Sequence, residues 1–145
     1  MIKILHLLPN LGLGGTEKII LEICRRADRN RFKMSVAALK SDGPTGDALR
    51  KIGVPVTALR SPDSFVPGVM DLPFLLFRLK KAVRESAPDI LHTWLTRANI
   101  AGRMVSLITP VPVLISSLRV METEKKYHLF AERWTNFLSR SVTVN

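Results

Sequence analysis

The sequence predicts an α/β fold, a doubly wound parallel sheet with helices on both faces in a three-layer α/β/α arrangement. Short β-type runs alternate with longer helical patterns along the 145 residues, as expected for parallel strands joined by right-handed crossovers. With 46% hydrophobic residues, a chain of this length can bury a sizeable core. We therefore expect a single domain over residues 1–145.

The first half of the chain supplies three predicted strands. The run "IGVPV" places Pro55 at the start of a β-branched stretch, where its missing N–H costs least. A Pro- and Gly-rich connection is predicted at 60–70. The preceding elements are strands at 2–8, 34–39 and 54–59 and helices at 16–28 and 46–52.

The second half continues the alternation. In "APDILHT", Pro88 ends a helix and Asp89 opens a strand. In "TPVPVLI", the prolines again come before or at the start of a β-branched run. The elements predicted are helices at 71–86, 95–108 and 125–139 and strands at 89–93, 112–117 and 141–145.

Composition narrows the classes of partner. The 22 Lys and Arg residues against 12 Asp and Glu give a formal charge of +10, which favours nucleic acid, an anionic membrane surface or a phosphorylated substrate. Few aromatic residues and no RNP-type or zinc-finger pattern make nucleic acid the weakest of the three. The single Cys24 excludes an internal disulfide. Without a signal peptide or a membrane-spanning stretch, we expect a soluble cytoplasmic protein.

A glycine-rich stretch, "PNLGLGGTEK", directly follows the first predicted strand. Gly12 and Gly14 fit the first two positions of a GxGxxG dinucleotide fingerprint, but Glu17 occupies the third, and no GK[ST] follows. Gly14 and Gly15 leave the backbone open beside a helix N-terminus, where an anion or a sugar hydroxyl can approach. The alternative is a tight turn capped by Thr16, with Glu17 favoured by the helix dipole.

The predicted strand order 3-2-1-4-5 places a crevice beyond the carboxyl ends of strands 1 and 4. "HTWLTRAN" should therefore bring His92, Trp94, Arg97 and Asn99 to face the glycine loop, and Arg119 follows strand 5. His92 can act as a base or be a structural residue, and Trp94 can stack on a sugar or be buried. Arg97 and Arg119 can hold an anion or be solvated.

The helix "DLPFLLFRLKKAVRESA" has two distinct faces. One stripe, predicted to pack on the sheet, holds Leu72, Leu75, Leu76, Leu79 and Val83. The opposite face mixes aromatic and cationic residues, which suits an anionic membrane surface, although it can also pack against 60–70 or a partner domain. That face consists of Phe74, Phe77, Arg78, Lys81 and Arg84.

Four motifs in order resemble the N-terminal domain of the family 4 glycosyltransferases: "GGTEKIILEI", "PDILHTWLTRANIAGR", "VLISSLR" and "ERWTNFLSRSVTVN". The resemblance implies the N-terminal, Rossmann-like half of a GT-B fold. It places the loop from Gly14 to Glu17 against the phosphates or the sugar of a nucleotide-sugar donor, and the acceptor on the rest of the domain. It also implies retaining hexosyl transfer with no metal and no cofactor beyond the donor substrate.

Two departures from the family pattern stand out. Many members read HxH in the strand-4 segment; His92 matches the first histidine, while Trp94 replaces the second. The family's second domain, which grips the nucleotide, has no counterpart in these 145 residues. We therefore expect either a fragment or a chain that works with a separate donor-binding partner.

The leading hypothesis is transfer of a sugar to a polysaccharide or lipid-linked acceptor, with the protein peripheral on the inner face of the cell membrane. The alternative is a standalone Rossmann-like module that binds a nucleotide or phosphorylated ligand without transferase activity. A basic nucleic-acid binder is the third, and it predicts strongly salt-dependent affinity.

Overall fold

A six-stranded parallel sheet forms the centre of the molecule in a computed structural model that describes residues 1–60, 71–118 and 141–144. The strand order is β3-β2-β1-β4-β5-β6. The predicted order 3-2-1-4-5 is thus confirmed, and the last predicted strand adds to its β5 edge. The strands are β1 (Ile2–Leu8), β2 (Phe32–Ala38), β3 (Val56–Ala58), β4 (Ile90–Trp94), β5 (Val113–Leu118) and β6 (Ser141–Val144).

Four helices cover the two faces of the described part of the sheet. They are α1 (Gly15–Arg26), α2 (Pro44–Lys51), α3 (Asp71–Ser86) and α4 (Leu95–Ile108). The α1/α2 face of the sheet packs through an apolar cluster that includes Leu8, Ile20 and Val36, while the α3/α4 face packs through one that includes Leu7, Leu79 and Val105. The chain therefore has the predicted three layers, with alternate residues of each strand pointing to opposite helical layers.

The observed bounds of α1 and α2 differ from the predicted bounds, because local chemistry outweighs the hydrophobic pattern at these positions. Helix α1 ends at Arg26 because Asp28 begins a turn, in which the Asn30 N–H donates to the Asp28 carboxylate at 2.9 Å. Helix α2 starts at Pro44, two residues early, since proline suits the first helical turn. The predicted loop 60–70, beyond Arg60, and the predicted helix 125–139 lie outside the described residues.

Candidate functional site

The glycine loop, residues 9–14, leads from the carboxyl end of β1 into α1. Helix α1 begins at Gly15, with Gly14 as its N-cap residue in an extended conformation. No side chain caps this end, so Thr16 does not cap the helix as it would in the alternative interpretation of the loop. The first backbone N–H groups of a helix have no partner within it. The loop therefore presents donors and the positive end of a helix dipole at the carboxyl edge of the sheet.

Glu17 folds back over the loop. Its carboxylate lies so close to Gly14 that a Cβ on residue 14 would overlap Oε2, whereas a Cβ on Gly15 would meet nothing within 4 Å. Glu17 and Thr16 are both buried. The glycine at position 14 is thus required for the position of a carboxylate, and it gives the loop an acceptor group beside its N–H donors.

Helix α2 holds the glycine loop in place. The Thr45 N–H donates to the Leu11 carbonyl at 3.1 Å, and the Thr45 hydroxyl donates to the Gly12 carbonyl. A Cβ on Gly43 would lie 3.0 Å from the Leu11 carbonyl oxygen. These contacts join the β2–α2 connection to the loop, so the loop is preorganised rather than free to move with the N-terminus of α1.

Beneath this region, on the α1/α2 face, two histidines and a tryptophan pack together. The ring centroids of His92 and Trp94 lie 4.3 Å apart, and those of His6 and His92 lie 5.2 Å apart. The Trp94 indole N–H donates to His6 Nδ1 at 3.3 Å, while His92 Nε2 lies 2.8 Å from the Ser117 hydroxyl. Of these four residues, His92 and Trp94 were predicted from the sequence, whereas His6 and Ser117 were not, although the strand register aligns His6 with His92.

Burial keeps both histidines neutral. It lowers the pKa of His6 from 6.5 to about 3, with a smaller contribution from His92, and it lowers the pKa of His92 to about 4. Because His6 Nδ1 accepts a hydrogen bond, its proton lies on Nε2, which is buried without a hydrogen-bond partner. A base with a pKa near 4 is poorly matched to neutral pH, so this geometry favours the structural alternative for His92.

The α3/α4 face carries a polar network that fixes α4 to β4. The Thr93 hydroxyl donates to Asn99 Oδ1 at 2.8 Å, and Asn99 Nδ2 donates to the Ser117 carbonyl at 3.3 Å. Asn99 is fully buried and Trp94 is only 5% exposed. Trp94 is thus buried, one of its two predicted alternatives, and the Asn99 side chain is not exposed to a ligand. The sheet also separates them, since Trp94 packs with Leu11 on the opposite face.

Arg97 does reach a cavity, of about 280 Å³, at the carboxyl edge of the sheet on the α3/α4 side. We call it the edge pocket; it is lined by Pro9, Leu39, Lys40, Arg60, Leu72, Leu75, Arg97, Ile100, Ala101 and Met104. Of the described glycine-loop residues, only Pro9 borders it. Lys40 and Arg60 were not predicted as site residues from the sequence. Their positions just after β2 and β3, at the same edge as the predicted crevice, were the available signal.

The outward face of α3 is partly as predicted. Phe74 and Phe77 are 57% and 65% exposed, and Lys81 and Arg84 are exposed as well. Arg78 is half-buried, because its guanidinium donates to the Leu59 carbonyl at 2.8 Å and lies over the Phe74 ring. On the opposite stripe, Leu72 is 42% exposed and does not pack into the core, since it borders the edge pocket instead.

Neither a membrane-spanning helix nor a metal-binding cluster is found among the described residues. In residues 1–60, 71–118 and 141–144, no helix has the length and hydropathy needed to cross a bilayer. The same residues contain no group of three or more His, Cys, Asp or Glu side chains placed to hold a metal ion. Arg119 lies outside them, so its predicted role stays a prediction.

The sheet order, the crossover at β1 and β4 and the glycine loop together define a doubly wound, Rossmann-like α/β domain with its candidate site at the carboxyl edge. The sequence model of Glycosyltransferase Family 4 matches residues 13–144. The chain belongs to this family, as the four motifs indicated.

Several solved structures share this fold. HepE from Anabaena, in complex with UDP and glucose, has a TM-score of 0.76 at 22% identity, covering 98% of this chain and 38% of that one. MurG from Acinetobacter baumannii has 0.72 at 9% identity, covering 99% and 41%. A UDP-GlcNAc 2-epimerase from Neisseria meningitidis, bound to UDP-GlcNAc, has 0.63 at 14% identity, covering 97% and 38%.

These similarities establish the fold, including the N-terminal half of GT-B. The chain spans about two-fifths of the length of the three solved structures. None of the curated protein sequences matches it.

Proposed function

We propose that this chain is the acceptor-side domain of a glycosyltransferase that moves a sugar from a nucleotide-sugar donor to a polysaccharide or lipid-linked acceptor. The observation that carries the proposal is the uncapped N-terminus of α1 at Gly14 and Gly15, at the carboxyl edge of β1, in a chain of Glycosyltransferase Family 4. Such an edge is where doubly wound sheets bind ligands.

In this proposal the loop performs two tasks. The N–H groups at the start of α1 stabilise negative charge on the donor diphosphate as the sugar leaves. The Glu17 carboxylate, held against Gly14, accepts a hydrogen bond from a sugar hydroxyl and so orients the sugar. The hydrogen bond from the Thr45 hydroxyl to the Gly12 carbonyl holds the part of the loop that precedes these groups.

The remaining catalytic elements are also proposals. Transfer proceeds with retention of anomeric configuration and without a metal ion, and a second domain or a separate chain supplies most of the grip on the nucleotide. The anomeric configuration of the product, measured by NMR, tests retention. Activity in the presence of EDTA tests independence from a metal ion. A coding frame for a second Rossmann-like domain downstream of Asn145 supports the third.

The Gly14→Ala variant tests the role of the glycine loop. It is assayed in the form of the protein for which sugar transfer can be measured. UDP-glucose and UDP-GlcNAc are suitable first donors, because UDP with glucose and UDP-GlcNAc are bound in two of the similar structures. The added Cβ displaces the Glu17 carboxylate, and kcat/KM is expected to fall at least about tenfold.

Leu107→Ser is the matched control, since Leu107 is exposed near the end of α4, at the opposite edge of the sheet. Equal kcat/KM for the Gly14→Ala and control proteins would remove the loop from the mechanism. Unfolding in urea shows whether either change acts through folding.

The outward face of α3 is proposed to contact an anionic membrane. Phe74 and Phe77 supply exposed rings, and Lys81 and Arg84 supply exposed positive charge. Co-sedimentation with phosphatidylglycerol vesicles is expected, with little binding to phosphatidylcholine vesicles. Phe77→Ser should weaken binding to the anionic vesicles, and equal binding to both lipids would contradict the proposal.

A second candidate function is a standalone binding module for a nucleotide or phosphorylated ligand. It is favoured by the same uncapped helix end, which needs no second domain to attract an anion. Calorimetry separates the two proposals: micromolar binding of UDP-glucose by the 145-residue chain alone favours the module. Binding that appears only when a donor-binding domain is added favours the transferase.

A further inference from the structure

The edge pocket has a lining unlike that of a nucleotide site. Its described walls are aliphatic, and no aromatic ring that could stack on a base is among them. Its volume of about 280 Å³ is near the lower end of the ~300–1,000 Å³ typical of ligand cavities. It therefore suits part of a flexible apolar molecule. The apolar walls are Leu39, Leu72, Leu75, Ile100, Ala101 and Met104.

Three cations surround this apolar space. Lys40 and Arg60 follow the carboxyl ends of β2 and β3, and Arg97 lies in the first turn of α4. None of the described lining residues is acidic. Three positive side chains at one rim favour a phosphate group more than a neutral headgroup.

We infer that the edge pocket binds the proximal part of an apolar chain whose phosphate is held by Lys40, Arg60 and Arg97. The ligand class is a lipid phosphate, and in the proposed function it is the lipid-linked acceptor. This inference rests on that function only for the role of the ligand. The binding itself follows from the lining and charge of the pocket.

The first turn of α3 gives such a chain an entrance to the pocket. Leu72 both borders the pocket and is 42% exposed, on the side of α3 opposite Phe74 and Phe77. The apolar walls are thus open to solvent at Leu72. A chain entering beside Leu72 keeps apolar contact with these walls, while its phosphate stays at the cationic rim.

Decyl phosphate below its micelle concentration is the direct probe, measured by calorimetry with the whole chain. We expect decyl phosphate to bind at least about tenfold more tightly than inorganic phosphate or the uncharged decyl glucoside, a difference of about 1.4 kcal/mol. Equal binding of decyl phosphate and inorganic phosphate would overturn the role of the apolar walls. Equal binding of decyl phosphate and decyl glucoside would overturn the role of the cations.

Two variants locate the site. Lys40→Gln combined with Arg97→Gln is expected to weaken decyl phosphate binding at least about tenfold. Leu72→Asp, at a position exposed enough to tolerate a charge, is expected to weaken it by a similar factor. The matched controls, Lys51→Gln and Leu107→Asp, change an exposed cation and an exposed leucine away from the pocket and should bind as the parent does.

The same measurements separate this inference from the proposed function. If the two pocket variants reduce decyl phosphate binding but the protein transfers no sugar, the result supports the pocket. It then contradicts only the proposed transferase function. Transfer with equal kcat/KM to acceptors with and without an apolar chain overturns the pocket's role as acceptor site and leaves the transferase intact. Loss of binding in the control variants as much as in the pocket variants would also overturn the assignment.

Discussion

The two faces of the sheet differ most where the strands end. On the α1/α2 face, the rings of His6, His92 and Trp94 fill the space under the glycine loop, and burial keeps both histidines neutral. On the α3/α4 face, the edge pocket between α3 and α4 is open and is bordered by cations. One face supports a preorganised loop, and the other can admit a ligand.

Acidification is expected to produce the largest effect, and it acts on the α1/α2 face. Both histidines have a folded-state pKa, about 3 and about 4, below the ordinary 6.5, so the unfolded chain binds more protons at mildly acidic pH. Stability is therefore lost as pH falls below about 6.5. Each histidine contributes a loss of about 2 kcal/mol at about pH 5.

Urea unfolding of the parent and of His92→Asn between about pH 7 and about pH 5 measures this effect. The variant should lose roughly half as much stability over that interval as the parent. Identical pH dependence in the two proteins would show that His92 is not held neutral by burial, and the contrast between the faces would be lost.

Gly102→Val tests how closely α4 packs on the other face. A Cβ at this position would overlap the Thr93 methyl group, so we expect a loss of about 3 kcal/mol in the free energy of unfolding. Adding Thr93→Ser removes that methyl, keeps the hydroxyl and should recover part of the loss.

Gly15→Ala in α1 is the comparison for stability, because its Cβ meets nothing within 4 Å and alanine favours a helix by up to ~1 kcal/mol. Urea unfolding of the three proteins is the measurement. A Gly102→Val protein as stable as the parent would show that α4 is free to move away from β4.

Asn99→Ala should cost about 2 kcal/mol, because it removes two buried hydrogen bonds, the one from the Thr93 hydroxyl to Asn99 Oδ1 and the one from Asn99 Nδ2 to the Ser117 carbonyl. Ser106→Ala on the same helix is the control, since Ser106 bonds only to a local carbonyl, that of Arg103. Equal unfolding midpoints for the two variants would refute a structural role for the network.

Arg78→Met is expected to have the smallest effect, about 1 kcal/mol. It removes the hydrogen bond to the Leu59 carbonyl and the contact with the Phe74 ring. Lys81→Met should change stability by less than about 0.5 kcal/mol, because the Lys81 pair with Glu85 is exposed. Unfolding midpoints that rank the two variants in the reverse order would contradict this view of α3.

Much of the fold could be predicted because hydrophobic periodicity and proline placement act locally. The bounds of α3 and α4 agree with the prediction, as does the strand order. The helical wheel also placed Phe74 and Phe77 outside. It could not show that the first turn of α3 extends past the core, which is why Leu72 borders a cavity.

The site was less predictable because it depends on contacts between distant segments. Trp94 ends β4 and Asn99 lies in the helix that follows it, yet the surroundings of both depend on three strands. These strands contribute His6, Thr93 and Ser117. Lys40 and Arg60 look like ordinary solvated cations in the sequence, and only the packing of α3 and α4 encloses the space beside them. The glycine loop was found because its motif is contiguous.

The central place of β1 affects how the protein is made. It pairs with β2 early in the chain, but its other edge waits for β4, where Ile4 meets Ile90. During synthesis, the partial sheet through Ala58 therefore presents an open β1 edge until Trp94 has been added, an interval of roughly two to seven seconds at typical elongation rates. Open strand edges recruit other chains. Translation speed over residues 59–94 thus sets how long each nascent chain is exposed to aggregation.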